Sequence, residues 1–150
     1  VIDDLGSTMD IFPTILEMSN SGQVDDRIID GLSIKNTLLN LEPSKREKVI
    51  FYREREVYAL RYRQFKAHFI INGVYNYPSR NIKTYLKYPL LYNLDIDPSE
   101  KYDIADENPE ILKKIYEVLE SHQNNLNAPE DLLQYRDNNG NTDGIDNSLD

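Results

Sequence analysis

Two apolar runs separated by a two-residue polar step constrain the fold of this chain more than any other feature. Val57 to Tyr62 and Phe65 to Ile71 are rich in β-branched and aromatic residues, and only Arg63-Gln64 stands between them. The pair reads as a β-hairpin, which needs further strands to bury an apolar face. Leu90 to Leu94 is another apolar run, closed by Asp95, Asp97 and Pro98, and Val49 to Tyr52 is a fourth. A four-stranded antiparallel sheet is therefore expected.

Helical signals flank the sheet. Ser7 or Thr8 can cap a helix running to about Met18, in which Pro13 requires a late start or a bend. Ser19 to Gly31 is polar, and a short helix is expected from about Ser33 to Leu41 with Ile34, Leu38 and Leu41 as its apolar stripe. The longest helix should run from Pro109 to about Asn124, where Asn108 suits the cap and Glu110 complements the helix dipole. Ile111, Ile115, Val118 and Leu119, with Leu112 at the margin, would cover one face of the sheet. Asn72 to Tyr88 reads as a long tyrosine-rich loop between the third and fourth strands.

The fold class is thus α+β: a small four-stranded antiparallel sheet packed against a C-terminal helix and preceded by one or two helices. Residues 1–44 hold those first helices and a loop, 45–127 the sheet and last helix, and 128–150 a polar tail expected to be mobile.

Several motifs follow one another along the chain. Asp10-Ile11-Phe12-Pro13-Thr14-Ile15-Leu16 comes first and Asp30-Gly31-Leu32-Ser33 second. Ala59, Arg61, Phe65 and Lys66 mark the hairpin, and Leu91-Tyr92-Asn93-Leu94 leads to Asp97, Pro98, Glu100, Asp103 and Ile104. In this order, over most of residues 1 to 125, the chain resembles the C-terminal region of arylsulfatase-type sulfatases. The hairpin pattern there is A-x-R-x-G-x-(aromatic)-K, so Arg63 stands where the family carries glycine. If that position needs positive φ, arginine costs on the order of 1 kcal/mol; otherwise the turn is of another type.

The resemblance implies that residues 1–44 are the end of an α/β catalytic domain, with Ile11, Ile15 and Leu16 facing its main sheet. It implies hydrolysis of sulfate esters, on a sulfated carbohydrate or an aryl compound. In the family the nucleophile is a hydrated formylglycine made from Cys or Ser in (C/S)-x-P-x-R, beside a divalent metal, usually calcium, held by Asp and Asn. This chain has no cysteine, and Asn76-Tyr77-Pro78-Ser79-Arg80 has only the outline of that motif, because an amide cannot become formylglycine. Calcium and formylglycine are expected in a catalytic part outside these residues, with no cofactor within them. The expected partners are that N-terminal catalytic part and a sulfated small molecule or glycan.

Composition narrows the context. The net charge of -9 conceals a basic window, residues 45 to 88, with eleven Lys and Arg against three Glu and with seven of the eleven tyrosines. Such a surface suits an anionic, sugar-like or aryl ligand, or is a solvated face whose arginines pair with acids. Nucleic acid is not expected of an acidic chain with no reader motif. No apolar run approaches the roughly 20 residues that cross a bilayer, so no membrane partner is expected. With no initiating Met and no leader at Val1-Ile2, the chain reads as a piece of a larger one. Without cysteines or an Asn-x-Ser/Thr sequon, a bacterial periplasmic or extracellular origin fits best.

Within the tyrosine-rich loop, Tyr75, Tyr77, Arg80, Lys83 and Tyr85 are the candidate substrate-rim residues. The resemblance implies a position near the rim of the pocket, and a guanidinium can take two sulfate oxygens at once. His68 reads as a structural hydrogen bonder and His122 as a partner of a helix C-terminus, so neither is assigned to catalysis. Asp95, Asp97, Glu100 and Asp103 lack the glycine of a calcium loop and read as turn residues. The tail spacing Asn139, Asn141, Asp143, Gly144 to Asp150 resembles part of such a loop, but Asp146 occupies its apolar position and calcium is not assigned. A non-catalytic module binding a polyanionic glycan is the alternative function, and a phosphoryl-transfer relative is a third.

Overall fold

The hairpin forms where the sequence calls for it. Strands β2 (Glu56–Tyr62) and β3 (Phe65–Asn72) pair antiparallel, with Tyr62 opposite Phe65. In the computed structural model, which describes residues 2, 4–22, 24, 26–53, 55–72 and 83–126, β1 (Lys48–Arg53) and β4 (Lys83–Asn93) complete an antiparallel sheet of order β1-β2-β3-β4. Arg63 has φ 52°, so the turn keeps the left-handed first position that the pattern's glycine would serve. The turn is also tied down at its base, where the Arg63 N–H donates to the Glu47 carbonyl at 2.8 Å.

The fourth strand is longer than the expected Leu90 to Leu94, because the later part of the expected loop is strand. Asn72 pairs with Lys83 and Ile70 with Tyr85; beyond an irregularity, His68 pairs with Leu90 and Phe65 with Asn93. Leu86 to Pro89 therefore bulge opposite Phe69. Pro89 has no N–H to give to a ladder, and proline in sheets is confined to edges and bulges. The local composition of β4 hides a strand that its register with β3 imposes.

Leu60, Ala67, Leu91 and Ile115 are fully buried and form the core, one each from β2, β3, β4 and α3 (Pro109–Asn125). Ile111, Leu112, Val118 and Leu119 pack around them, which is the stripe the helical spacing called for. Asn108 precedes the helix, but its Nδ2 donates to the Ile104 carbonyl at 2.9 Å and its side chain caps no helical N–H.

Near the N-terminus, Ser7 and Asp10 make a capping box around a single 3-10 turn, Thr8–Asp10, ahead of α1 (Ile11–Met18). Pro13 falls in the first turn of α1, where a missing N–H removes no helical bond. The second helix, α2 (Lys35–Asn40), is shorter than Ser33 to Leu41 because Leu41 leaves it in a left-handed conformation. The residues these helices bury are Thr14 and Thr37, whereas Ile11, Ile15, Leu38 and Leu41 are exposed. Their apolar stripes thus lack a covering surface among the described residues.

Candidate functional site

The candidate rim residues divide. Tyr75, Tyr77 and Arg80 lie outside the described residues, as does the tail from Asn139 to Asp150. Lys83 and Tyr85 sit on β4 and are brought together by Glu56 at the start of β2. The Tyr85 hydroxyl donates to Glu56 Oε1 at 2.6 Å, and Lys83 Nζ forms an ion pair with Glu56 Oε2. Lys83 Nζ also lies 5.1 Å from the Tyr85 ring centre and 5.9 Å from that of Tyr58, and the Arg53 guanidinium lies 6.0 Å from Tyr58. Cations over aromatic faces are attracted by the ring quadrupole. Glu56 and Tyr58 have no signal in the sequence that joins them to Lys83, since only the sheet register brings them close.

The two N-terminal motifs turn out to be each other's partners. Asp10 is fully buried, and its carboxylate accepts the N–H of Ser7 and that of Leu32, both at 2.8 Å. The Thr14 hydroxyl donates to the Asp10 carbonyl at 2.6 Å and accepts the Ile34 N–H at 3.0 Å. Gly31 closes the contact, for a Cβ there would stand 2.1 Å from the Met9 carbonyl oxygen. A third partner escaped the sequence reading. Arg46 Nε donates to Asp10 Oδ2 at 2.8 Å, its Nη2 pairs with Oδ1, and Nη2 also reaches the Asp30 carbonyl at 3.0 Å. Burial raises the Asp10 pKa, but the Arg46 guanidinium and the Leu32 and Ser7 amides outweigh it, so the carboxyl lies below its ordinary value.

Residues 44–145 match the family model described as the C-terminal region of aryl-sulfatase. The chain belongs to the sulfatase family. Among its relatives, N-acetylgalactosamine-6-sulfatase of Canis lupus familiaris is 28% identical over 146 residues, 84% of this chain and 28% of that protein. Arylsulfatase A of Bos taurus is 27% identical over 132 residues, 79% of this chain and 26% of that protein. A solved Bacteroides thetaiotaomicron structure, from work on the metabolism of multiple glycosaminoglycans, superposes with a TM-score of 0.57 at 26% identity, covering 75% of this chain and 24% of the other. The chain thus spans little more than a quarter of the length of the curated relatives it matches.

The C-terminal sulfatase motif is also explained by its contacts. Asp97 Oδ2 accepts the N–H groups of Lys101 and Tyr102 at 2.8 and 2.9 Å, and Asp103 Oδ1 accepts those of Leu91 and Ala105 at 2.9 and 3.0 Å. These carboxylates hold a turn against the edge of β4. Glu100, at φ 53°, reaches across to the hairpin: Lys66 Nζ lies 2.6 Å from Oε1, and His68 Nε2 lies 2.5 Å from Oε2. Burial raises the Glu100 pKa, yet Lys66 and His68 together bring it below the ordinary value. An ionised carboxylate only accepts, so His68 donates from Nε2. His68 thus has a hydrogen-bond partner 32 residues away, and its ring also packs edge-on against Tyr92. His122 sits in the last turn of α3 and hydrogen-bonds Tyr52 Oη at 2.8 Å.

Because Glu100 joins two hairpin side chains to the turn, Glu100→Gln should destabilise the chain by about 1–3 kcal/mol, the cost of partly buried groups left without their charged acceptor. Urea unfolding checks this, and an unchanged midpoint would remove the latch role.

Proposed function

We propose that this chain serves as the C-terminal region of a sulfatase that hydrolyses sulfate esters of a carbohydrate, supplying scaffold and substrate-rim residues and being inactive alone. The family match over residues 44–145 carries the reading. Two further facts support the carbohydrate: the relative named N-acetylgalactosamine-6-sulfatase, and the glycosaminoglycan context of the solved neighbour. A bacterial periplasmic or extracellular location agrees with this reading.

No residue of this chain is assigned to calcium or to formylglycine in this reading. The chain has no cysteine, and among the described residues no three of His, Cys, Asp and Glu are grouped to hold a metal. The acids of the C-terminal motif are turned to backbone amides or to Lys66 and His68. Nucleophile and metal belong, in this reading, to a catalytic part outside the chain, and no step of the reaction is assigned here. That part is also what would cover the exposed Ile11, Phe12, Ile15 and Leu38, and a groove of about 560 Å³ beside α1 lined by Pro13, Leu16, Val24, Ile29 and Leu32.

The rim role of Tyr75, Tyr77, Arg80, Lys83 and Tyr85 is part of the proposal. In the intact enzyme, replacing Arg80 and Lys83 together by Met should raise KM for a polysulfated substrate roughly tenfold, the loss of two charge-assisted contacts of modest strength. Steady-state kinetics decide it, and an unchanged KM would exclude both cations from the rim. The second reading, a non-catalytic module binding a polyanionic glycan, draws on the exposed tyrosines of β4. Release of sulfate from sulfated oligosaccharides by the intact protein excludes it, and absence of release excludes the first.

A further inference from the structure

We infer that β4 carries a track for a sulfated saccharide chain, in which Lys83 with Tyr85 and Lys87 with Tyr88 act as successive stations and Glu56 fixes one end. The inference rests on the sulfated-carbohydrate reading above and assigns the class of ligand to particular side chains. β4 is an edge strand, paired on one side only by β3. Its sequence holds two lysines besides its tyrosines and contains no acidic residue.

The two stations share a cation-to-ring distance, although Lys83 and Tyr85 alternate along paired strand and Lys87 and Tyr88 are adjacent in the bulge. Lys83 Nζ is 5.1 Å from the Tyr85 ring centre, and Lys87 Nζ is 5.2 Å from that of Tyr88. Tyr85 and Tyr88 are 64% and 73% exposed, which is far more surface than a tyrosine packed for stability leaves open. A pyranose presents a CH-lined face that lies on an aromatic ring, and a sulfate ester is an acceptor for an ammonium, so each lysine–tyrosine pair offers both contacts a sulfated sugar needs. Tyr85 and Tyr88 stand three positions apart, so their backbones are at most about 10 Å apart at the rise of a β-strand, a span that neighbouring sugars of a chain can bridge.

The ends of the track differ. At Lys83 the charge is shared with Glu56, whose carboxylate also takes the Tyr85 hydroxyl and so orients the ring. At Lys87, among the described residues, the recorded contact is the Tyr88 ring and there is no carboxylate partner. The bulge Leu86 to Pro89 lifts this second station out of the ladder.

Calorimetric titration of the chain with a chondroitin 6-sulfate hexasaccharide and with its desulfated counterpart tests the inference. The sulfated probe is expected to bind, more weakly at 200 mM than at 50 mM salt because exposed charges are screened, and the desulfated probe at least tenfold more weakly. Lys87→Met and Tyr88→Ala should each weaken the sulfated probe about three- to tenfold, the loss of one exposed cation or ring contact. Circular dichroism verifies the fold of both variants. Should either fail to fold, chemical-shift perturbation on the wild-type chain replaces it, with the largest shifts expected at Tyr85 and Tyr88. Equal binding of the two probes, variants that bind like wild type, or shifts centred elsewhere overturn the track. Release of sulfate from the same hexasaccharide by the intact wild-type enzyme is scored separately. Turnover without binding on β4 overturns the track alone, and binding without turnover overturns the sulfatase reading while leaving the site.

Discussion

Asp10→Asn should destabilise the N-terminal segment by about 3–5 kcal/mol, the cost of leaving one member of a buried ion pair uncompensated. Asp10 is fully buried and Arg46 nearly so, and the pair also satisfies the amides of Ser7 and Leu32. The neutral amide keeps the shape but removes the charge opposite the guanidinium. The discriminating measurement is a cycle with Arg46→Met. If the pair acts as a unit, the double replacement Asp10→Asn with Arg46→Met should be milder than Asp10→Asn alone, since the guanidinium left uncompensated in the single variant is then gone. Equal losses in single and double variants would show that Asp10 acts only through its amide bonds. Hydrogen exchange at residues 7–46 reads the effect locally.

The same carboxylate sets the acid limb of stability. Asp10 and Glu100 both have folded pKa values below their ordinary ones. A group depressed in this way contributes stability above its unfolded pKa and loses it as pH falls through the folded one. Unfolding should therefore steepen below about pH 4, the ordinary carboxylate value. In Asp10→Asn and Glu100→Gln that limb should be flatter, which circular dichroism against pH would show.

Ile115→Ala should cost about 2–5 kcal/mol, the range for removing a large aliphatic side chain from a well-packed core. Ile115 is fully buried and belongs to the helix that covers Leu60, Ala67 and Leu91. Since small domains are stable by only about 5–15 kcal/mol, this single change should bring the sheet and α3 close to unfolding at 37 °C. A guanidinium melt is the test, with Tyr116→Ala as the control: Tyr116 lies next along α3 but is about half exposed. Comparable losses in the two variants would mean that α3 does not seat on the sheet as described.

How much was legible in the sequence follows from the range of the interactions involved. The α3 stripe, the hairpin and the C-terminal turn were readable because their determinants are local: a 3.6-residue period, a two-residue step, and acids next to the amides they accept. The extent of β4 was not, because Lys83 to Pro89 is polar, aromatic and ends in proline, and only pairing with Ile70 to Asn72 makes it strand. Arg63 shows a third case. Its departure from the glycine pattern was visible, but whether the turn would change type was decided by the hairpin, which keeps φ positive and accepts the strain.

The candidate site behaves likewise. Lys83 and Tyr85 were singled out by residue type, while Glu56, their common partner from β2, was not, since 27 residues separate it from Lys83. The two apolar runs around Arg63-Gln64 determined a hairpin, and with the runs beside it and the stripe of α3 an antiparallel sheet under a helix, because alternation, turn length and helical period act over a few residues. Which charges meet across that sheet, Asp10 with Arg46, Glu100 with Lys66 and His68, Glu56 with Lys83, only the tertiary structure decided, because ion pairs carry no sequence period and form wherever strand register and burial bring opposite charges within reach.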